Sequence, residues 1–144
     1  MKAWLLLAYR IPREPTAGRV FVWRKLKQLG AIAAQDAVWV LPQLPRTQEQ
    51  MQWLAAEITE LGGAATLFEA DQLYATDVES LRRQFIEPVE AEYRQIQTAL
   101  RKKDRDLVAL SRQFQDAHAR DFFSSDLGRL TREKLLAAGG GSRS

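Results

Sequence analysis

A chain of 144 residues, 46% of them hydrophobic and four of them tryptophan, has the apolar surface for one domain, or a small domain with a helical extension, and is not a disordered tail. It contains no cysteine, which excludes disulfides, thiolate metal sites, iron–sulfur clusters and cysteine nucleophiles and makes the cytoplasm the expected compartment. The net charge of +3 is segregated: residues 1–50 carry eight Lys/Arg against three Asp/Glu, residues 51–80 none against six, and residues 81–144 thirteen against nine.

The opening MKAWLLLAYRIP holds an apolar run too short to cross a membrane, with no small-residue cleavage site after it, so no membrane partner is expected. Ala3 to Tyr9 reads as a strand buried on both faces. Pro12 and Pro15 then force an extended loop, after which Thr16 is placed to cap a helix. Arg19, Val22, Trp23, Leu26 and Leu29 recur at helical spacing, and Gly30 ends the run. Ala31 to Ala34 and Ala37 to Leu41 read as two strands joined through Gln35-Asp36 at hairpin spacing. Met51, Leu54, Ala55, Ile58 and Leu61 form a second helical stripe that stops at Gly62-Gly63, and Ala64 to Phe68 makes a fourth strand. The order strand, helix, strand, strand, helix, strand is that of a ferredoxin-like domain with both helices on one face of an antiparallel sheet.

The remainder reads as helices. Val78, Leu81, Phe85, Val89, Tyr93, Ile96 and Leu100 share one stripe, with Pro88 expected to kink or restart the helix. The charged RKKDRD turn leads into Leu107, Leu110, Phe114 and Ala117 running back, and DFFSSDLGRLTREKLLAA gives an aromatic corner and a last short helix. The expected fold class is α+β, a ferredoxin-like βαββαβ half followed by two to three helices. Its divisions are residues 1–73, a helical extension over 74–138 packed on them, and a flexible tail over 139–144.

The stretch PREPTAGRVFVWRKLKQLGAIAAQDAVWVLP, Pro12 to Pro42, resembles the opening of the ChrB family of chromate-resistance regulators and, more distantly, the ferredoxin-like part of the PaaX repressors. Arg19, Trp23-Arg24, Leu29-Gly30 and Val40-Leu41-Pro42 carry the likeness, and Phe85, Glu92-Tyr93 and Asp121-Phe122-Phe123 resemble the second half of the same ChrB amino-terminal domain. The resemblance implies a non-enzymatic regulator that binds DNA, or supports a DNA-binding partner, in the response to chromate. ChrB proteins usually continue into a second domain associated with chromate sensing, which has no counterpart here. A separate ChrB-type sensor chain is therefore among the expected partners.

Two candidate sites sit near the amino end. Arg10, Arg24, Lys25 and Lys27, beside Val20 and Phe21, suit contact with a nucleic-acid backbone, and serve equally well as solubilising charges. Arg13, Thr16 and Arg19 flank the expected start of the first helix, where free N–H groups and the helix dipole suit phosphate, sulfate, chromate or another oxyanion. Arg19 also falls on the expected core-facing stripe, and Phe21 and Trp53 read as aromatics covered by further helices or a second subunit. The open sheet edges favour a homodimer. A dimerisation scaffold without nucleic-acid affinity is the competing class. A metal-dependent nuclease of the CRISPR adaptation type comes third, because Tyr9-Arg10 stands where that family holds a metal-binding aspartate. His118, the only histidine, reads as a surface or interhelical packing residue, and no metal or cofactor is expected.

Overall fold

The computed structural model describes residues 2–35 and 38–140, and its packing falls into two compact units, residues 1–78 and 79–144. Asp36 and Ala37 of the expected hairpin, and residues 141–144 of the expected tail, lie outside the described residues.

The first unit runs β1 (Trp4–Arg10), α1 (Thr16–Leu29), β2 (Ile32–Gln35), β3 (Val38–Pro42), α2 (Pro45–Glu60) and β4 (Ala64–Ala70). The strands lie in the order β2-β3-β1-β4, and every neighbouring pair is antiparallel. Each helix therefore carries the chain past one intervening strand, giving two interleaved split βαβ crossovers. The protein is α+β, in the βαββαβ order expected.

Register decides which side chains enter the core. Leu5 lies opposite Leu41 and Leu7 opposite Trp39, and all four are buried. The alternate residues Trp4, Leu6 and Ala8 are only half-buried, so β1 is fully buried on one face and not, as expected, on both. The physical reason is that α1 and α2 pack against each other in a single layer, which covers one side of the sheet. Val22 and Leu26 of α1 and Met51, Leu54 and Ile58 of α2 supply the helical side of this core.

The two helices begin and end by different devices. Gly30 at the end of α1 has φ of 86°, a left-handed conformation that a side chain would disfavour, and its N–H bonds the Lys27 carbonyl while Ala31 N–H bonds that of Leu26. At α2, Pro45 takes the first helical position, where its missing N–H is not needed. The buried Thr47 hydroxyl accepts from Leu44 N–H at 3.0 Å and donates to the Pro42 carbonyl, tying the start of α2 to the end of β3.

The second unit comprises α3 (Ser80–Leu100), α4 (Leu107–His118) and α5 (Asp126–Ala138), each packed on the other two. Its core is Val89, Tyr93, Ile96 and Leu100 of α3 with Leu110, Phe114 and Ala117 of α4. Pro88 does not restart α3, which runs continuously through it. Val78, placed on the stripe by spacing, instead precedes the helix and is exposed. Among the described residues no helix is long and apolar enough to cross a membrane.

Candidate functional site

The electrostatic character of α1 follows from its sequence, TAGRVFVWRKLKQL: Arg19, Arg24, Lys25 and Lys27, and no acidic residue. Burying Gly18, Val22 and Leu26 against the core turns the rest of the helix outward. Arg19, Arg24 and Lys27 are exposed and Lys25 is half-buried. Among the described residues none of the four is paired with a carboxylate. Apolar groups are interleaved with them, since Val20, Phe21 and Trp23 are 39%, 41% and 53% exposed. Lys27 Nζ lies 5.9 Å from the centre of the Trp23 ring, in cation–π range. A shallow groove of about 450 Å³ runs along the helix, lined by Ala17, Val20, Phe21, Arg24, Lys25 and Gln28.

Two expectations for this helix are corrected. Helical spacing puts Arg19 and Trp23 on the buried stripe, whereas both are exposed and Gly18 is the buried residue one turn before Val22. Trp23 is rotated by about 100° from Val22, which takes its ring out of the helix–sheet seam. Trp53 of α2 is likewise exposed, at 67%, and neither it nor Phe21 is a core residue.

The oxyanion candidates are placed differently from the expectation. Pro15, not Thr16, is the N-cap of α1: its backbone is extended and its carbonyl accepts from Gly18 N–H at 3.3 Å. Thr16 is the first residue of the helix, and no side chain caps this end. Arg13 is exposed in the preceding loop and Arg10 is exposed at the end of β1. Burial raises the Tyr9 phenol's pKa above its ordinary value, and the Trp39 indole and then the positive charge of Arg19 act the other way. The indole N–H of Trp39 is buried without a hydrogen-bond partner among the described residues. The structure therefore gathers Arg24, Lys25 and Lys27 on one helix, with Arg19 on its flank and Arg10 and Arg13 in the segment leading to it.

The second unit holds the other residues singled out by sequence, and they form a clasp. Tyr93 Oη donates to Asp121 Oδ2 at 2.9 Å, and the same carboxylate accepts from Ser125 N–H at 3.0 Å. The Ser125 hydroxyl donates to Glu90 Oε2 at 3.1 Å and accepts from Leu127 N–H, capping α5. Arg120 and Glu92 form an ion pair at 2.6 Å, and Phe85 meets Phe122 edge to face with ring centres 5.9 Å apart. Burial, then the bond to Asp121, raise the Tyr93 pKa well above the ordinary tyrosine range. These groups satisfy one another and hold α3 to the corner before α5. His118 is exposed and stacks on Phe114, with ring centres 5.5 Å apart. Among the described residues no group of three or more His, Asp or Glu is arranged to hold a metal ion.

The family model for the amino-terminal part of protein ChrB matches residues 19–102, more than half of the chain. The chain belongs to the ChrB amino-terminal family. The matched stretch takes in α1 from Arg19 onward and all of α2 and α3, while Arg10, Arg13 and Thr16 precede it and Asp121 follows it. Protein ChrB of Cupriavidus metallidurans is 38% identical over 61 residues, which cover 42% of this chain and 19% of that protein. The chain thus corresponds to about a fifth of the length of that relative. No solved structure matches.

Proposed function

We propose that the chain is a non-enzymatic regulatory protein of the chromate-resistance type, and that α1 binds duplex DNA through its phosphates. The observation that carries this reading is α1 itself: four cations without an acidic neighbour in the helix, none of them ion-paired with another described residue, and exposed Phe21 and Trp23 between them. Unpaired Lys and Arg side chains release counterions from DNA without first breaking a protein ion pair. From Arg19 onward the helix also lies within the stretch that the family model matches. Arg10 and Arg13, exposed in the approach to α1, extend the same positive surface. We further propose chromate, or an oxyanion of its shape, as the signal.

The test is the salt dependence of DNA affinity. Four neutralised phosphates give a slope of log affinity against log salt of about −3.6. An anisotropy titration with duplex DNA is expected to show that slope, and Arg24→Glu with Lys27→Glu to reduce its magnitude by about half. No binding even at low salt would overturn the DNA reading and leave a scaffold that acts through protein contacts.

A further inference from the structure

The outward side of α2 also carries an exposed aromatic, but its charge is mainly of the opposite sign to that of α1: after Arg46 in the first turn, its charged residues are Glu49, Glu57 and Glu60. On α1 the positions farthest from the buried residues are Val20, Arg24 and Lys27, spaced four and then three apart, with Phe21 and Trp23 beside them. On α2 the positions opposite Met51, Leu54 and Ile58 are Glu49, Trp53 and Glu60, spaced four and then seven apart. Glu49 and Glu60 are exposed, and Trp53, at 67%, leaves most of an indole in water. The two helices are neighbours in one layer, so a basic aromatic strip and an acidic aromatic strip lie side by side on a single surface.

We propose that this surface docks a second copy of the chain about a two-fold axis, α1 of each copy lying on α2 of the other. A two-fold contact is made twice, and only a patch complementary to itself can make it. This patch qualifies because each basic strip then meets an acidic one, while Trp53 of one copy is covered by the apolar groups around Val20 and Phe21 of the other. The size of the patch sets the strength. Helices of 14 and 16 residues are about 21 and 24 Å long and, side by side, about 20 Å wide. Such a patch buries on the order of 1,000 Å² over both copies, the lower bound for a specific interface. The dimer is therefore weak, with dissociation on the order of micromolar concentration, and loosens as salt rises. The inference shares α1 with the DNA reading without depending on it. If both hold, DNA and the second copy compete for α1.

Reversing one strip at a time provides the test, read by sedimentation velocity at several protein concentrations. The unaltered chain is expected to dimerise reversibly. Arg24→Glu with Lys27→Glu makes both strips acidic, and Glu49→Lys with Glu60→Lys makes both basic; each variant alone is expected to be monomeric. Mixed in equal amounts, the two restore both complementary contacts, so a heterodimer is expected. All four substitutions are at exposed positions, and Trp53→Ala, which changes no charge, is a further variant expected to weaken dimerisation at least tenfold. An unaltered chain that stays monomeric throughout, a mixture that stays monomeric, or single-strip variants that dimerise as before would each overturn the proposal. DNA titration of the Glu49→Lys, Glu60→Lys variant keeps the two readings apart, because it retains a basic α1 and its DNA binding survives the loss of the dimer.

Discussion

Tyr93 shows how one side chain can do two jobs, filling the core of the helical unit while its hydroxyl holds the carboxylate of Asp121, 28 residues away. Its place on the α3 stripe is legible from spacing. Its partner is not, because a hydrogen bond between distant segments leaves no local pattern. The raised pKa gives a test with a defined sign. The unfolded chain ionises near pH 10, whereas the native phenol stays protonated beyond that. The stabilisation is therefore complete below about pH 10 and is lost as pH rises toward the native value. Tyr93→Phe is expected to cost about 1–3 kcal/mol at neutral pH and to flatten the decline above about pH 10, measured by urea unfolding at several pH values. Gly128 belongs to the same clasp: a Cβ there would stand 2.8 Å from Tyr93 Cε2 and 2.9 Å from Asp121 Oδ2. Gly128→Ala is accordingly expected to destabilise by about 1–3 kcal/mol despite its favourable helix propensity.

At the scale of the element, spacing located all four strands and the helices to within a few residues, since each buries a stripe with the period of its own geometry. What spacing misplaced was the edge of a stripe. Trp23 and Arg19 flank the α1 seam closely enough to be counted in it, yet only Gly18, Val22 and Leu26 are buried. The helix start was missed for a similar reason. Pro15, already extended, serves as the N-cap and leaves Thr16 in the first turn. Thr47, by contrast, is polar, and nothing in its surroundings signals that its hydroxyl joins β3 to α2 in a fully buried position. Thr47→Val keeps the shape and leaves the Leu44 N–H without its acceptor, so a loss of about 1–2 kcal/mol is expected in thermal unfolding. The absence of a side-chain cap on α1 bears on the proposed oxyanion. Chromate or sulfate, added at constant ionic strength, is expected to raise Tm in a saturable way, and Arg13→Ala to remove that saturable part. An unsaturable rise identical in both proteins would assign the effect to general salt exclusion.

At the scale of the whole molecule, the segregated charge seen in the composition becomes a surface. The basic excess of residues 1–50 is concentrated on α1 and its approach, and acidic residues line the outward side of α2. Sequence alone separates these charges along the chain. Their exposure side by side follows from the βαββαβ connectivity, which lays both helices in one layer.

The most direct measurement compares two charge reversals of equal size for DNA binding at one low salt concentration. One is Arg24→Glu with Lys27→Glu on α1; the other is Lys102→Glu with Lys103→Glu, exposed in the turn between α3 and α4. Both change the net charge equally, so a general effect of charge weakens binding alike in each. The expected result is a loss of about tenfold or more for the α1 variant, with the turn variant close to the unaltered chain. Equal losses in the two variants, or none in either, would contradict a DNA-binding role for α1.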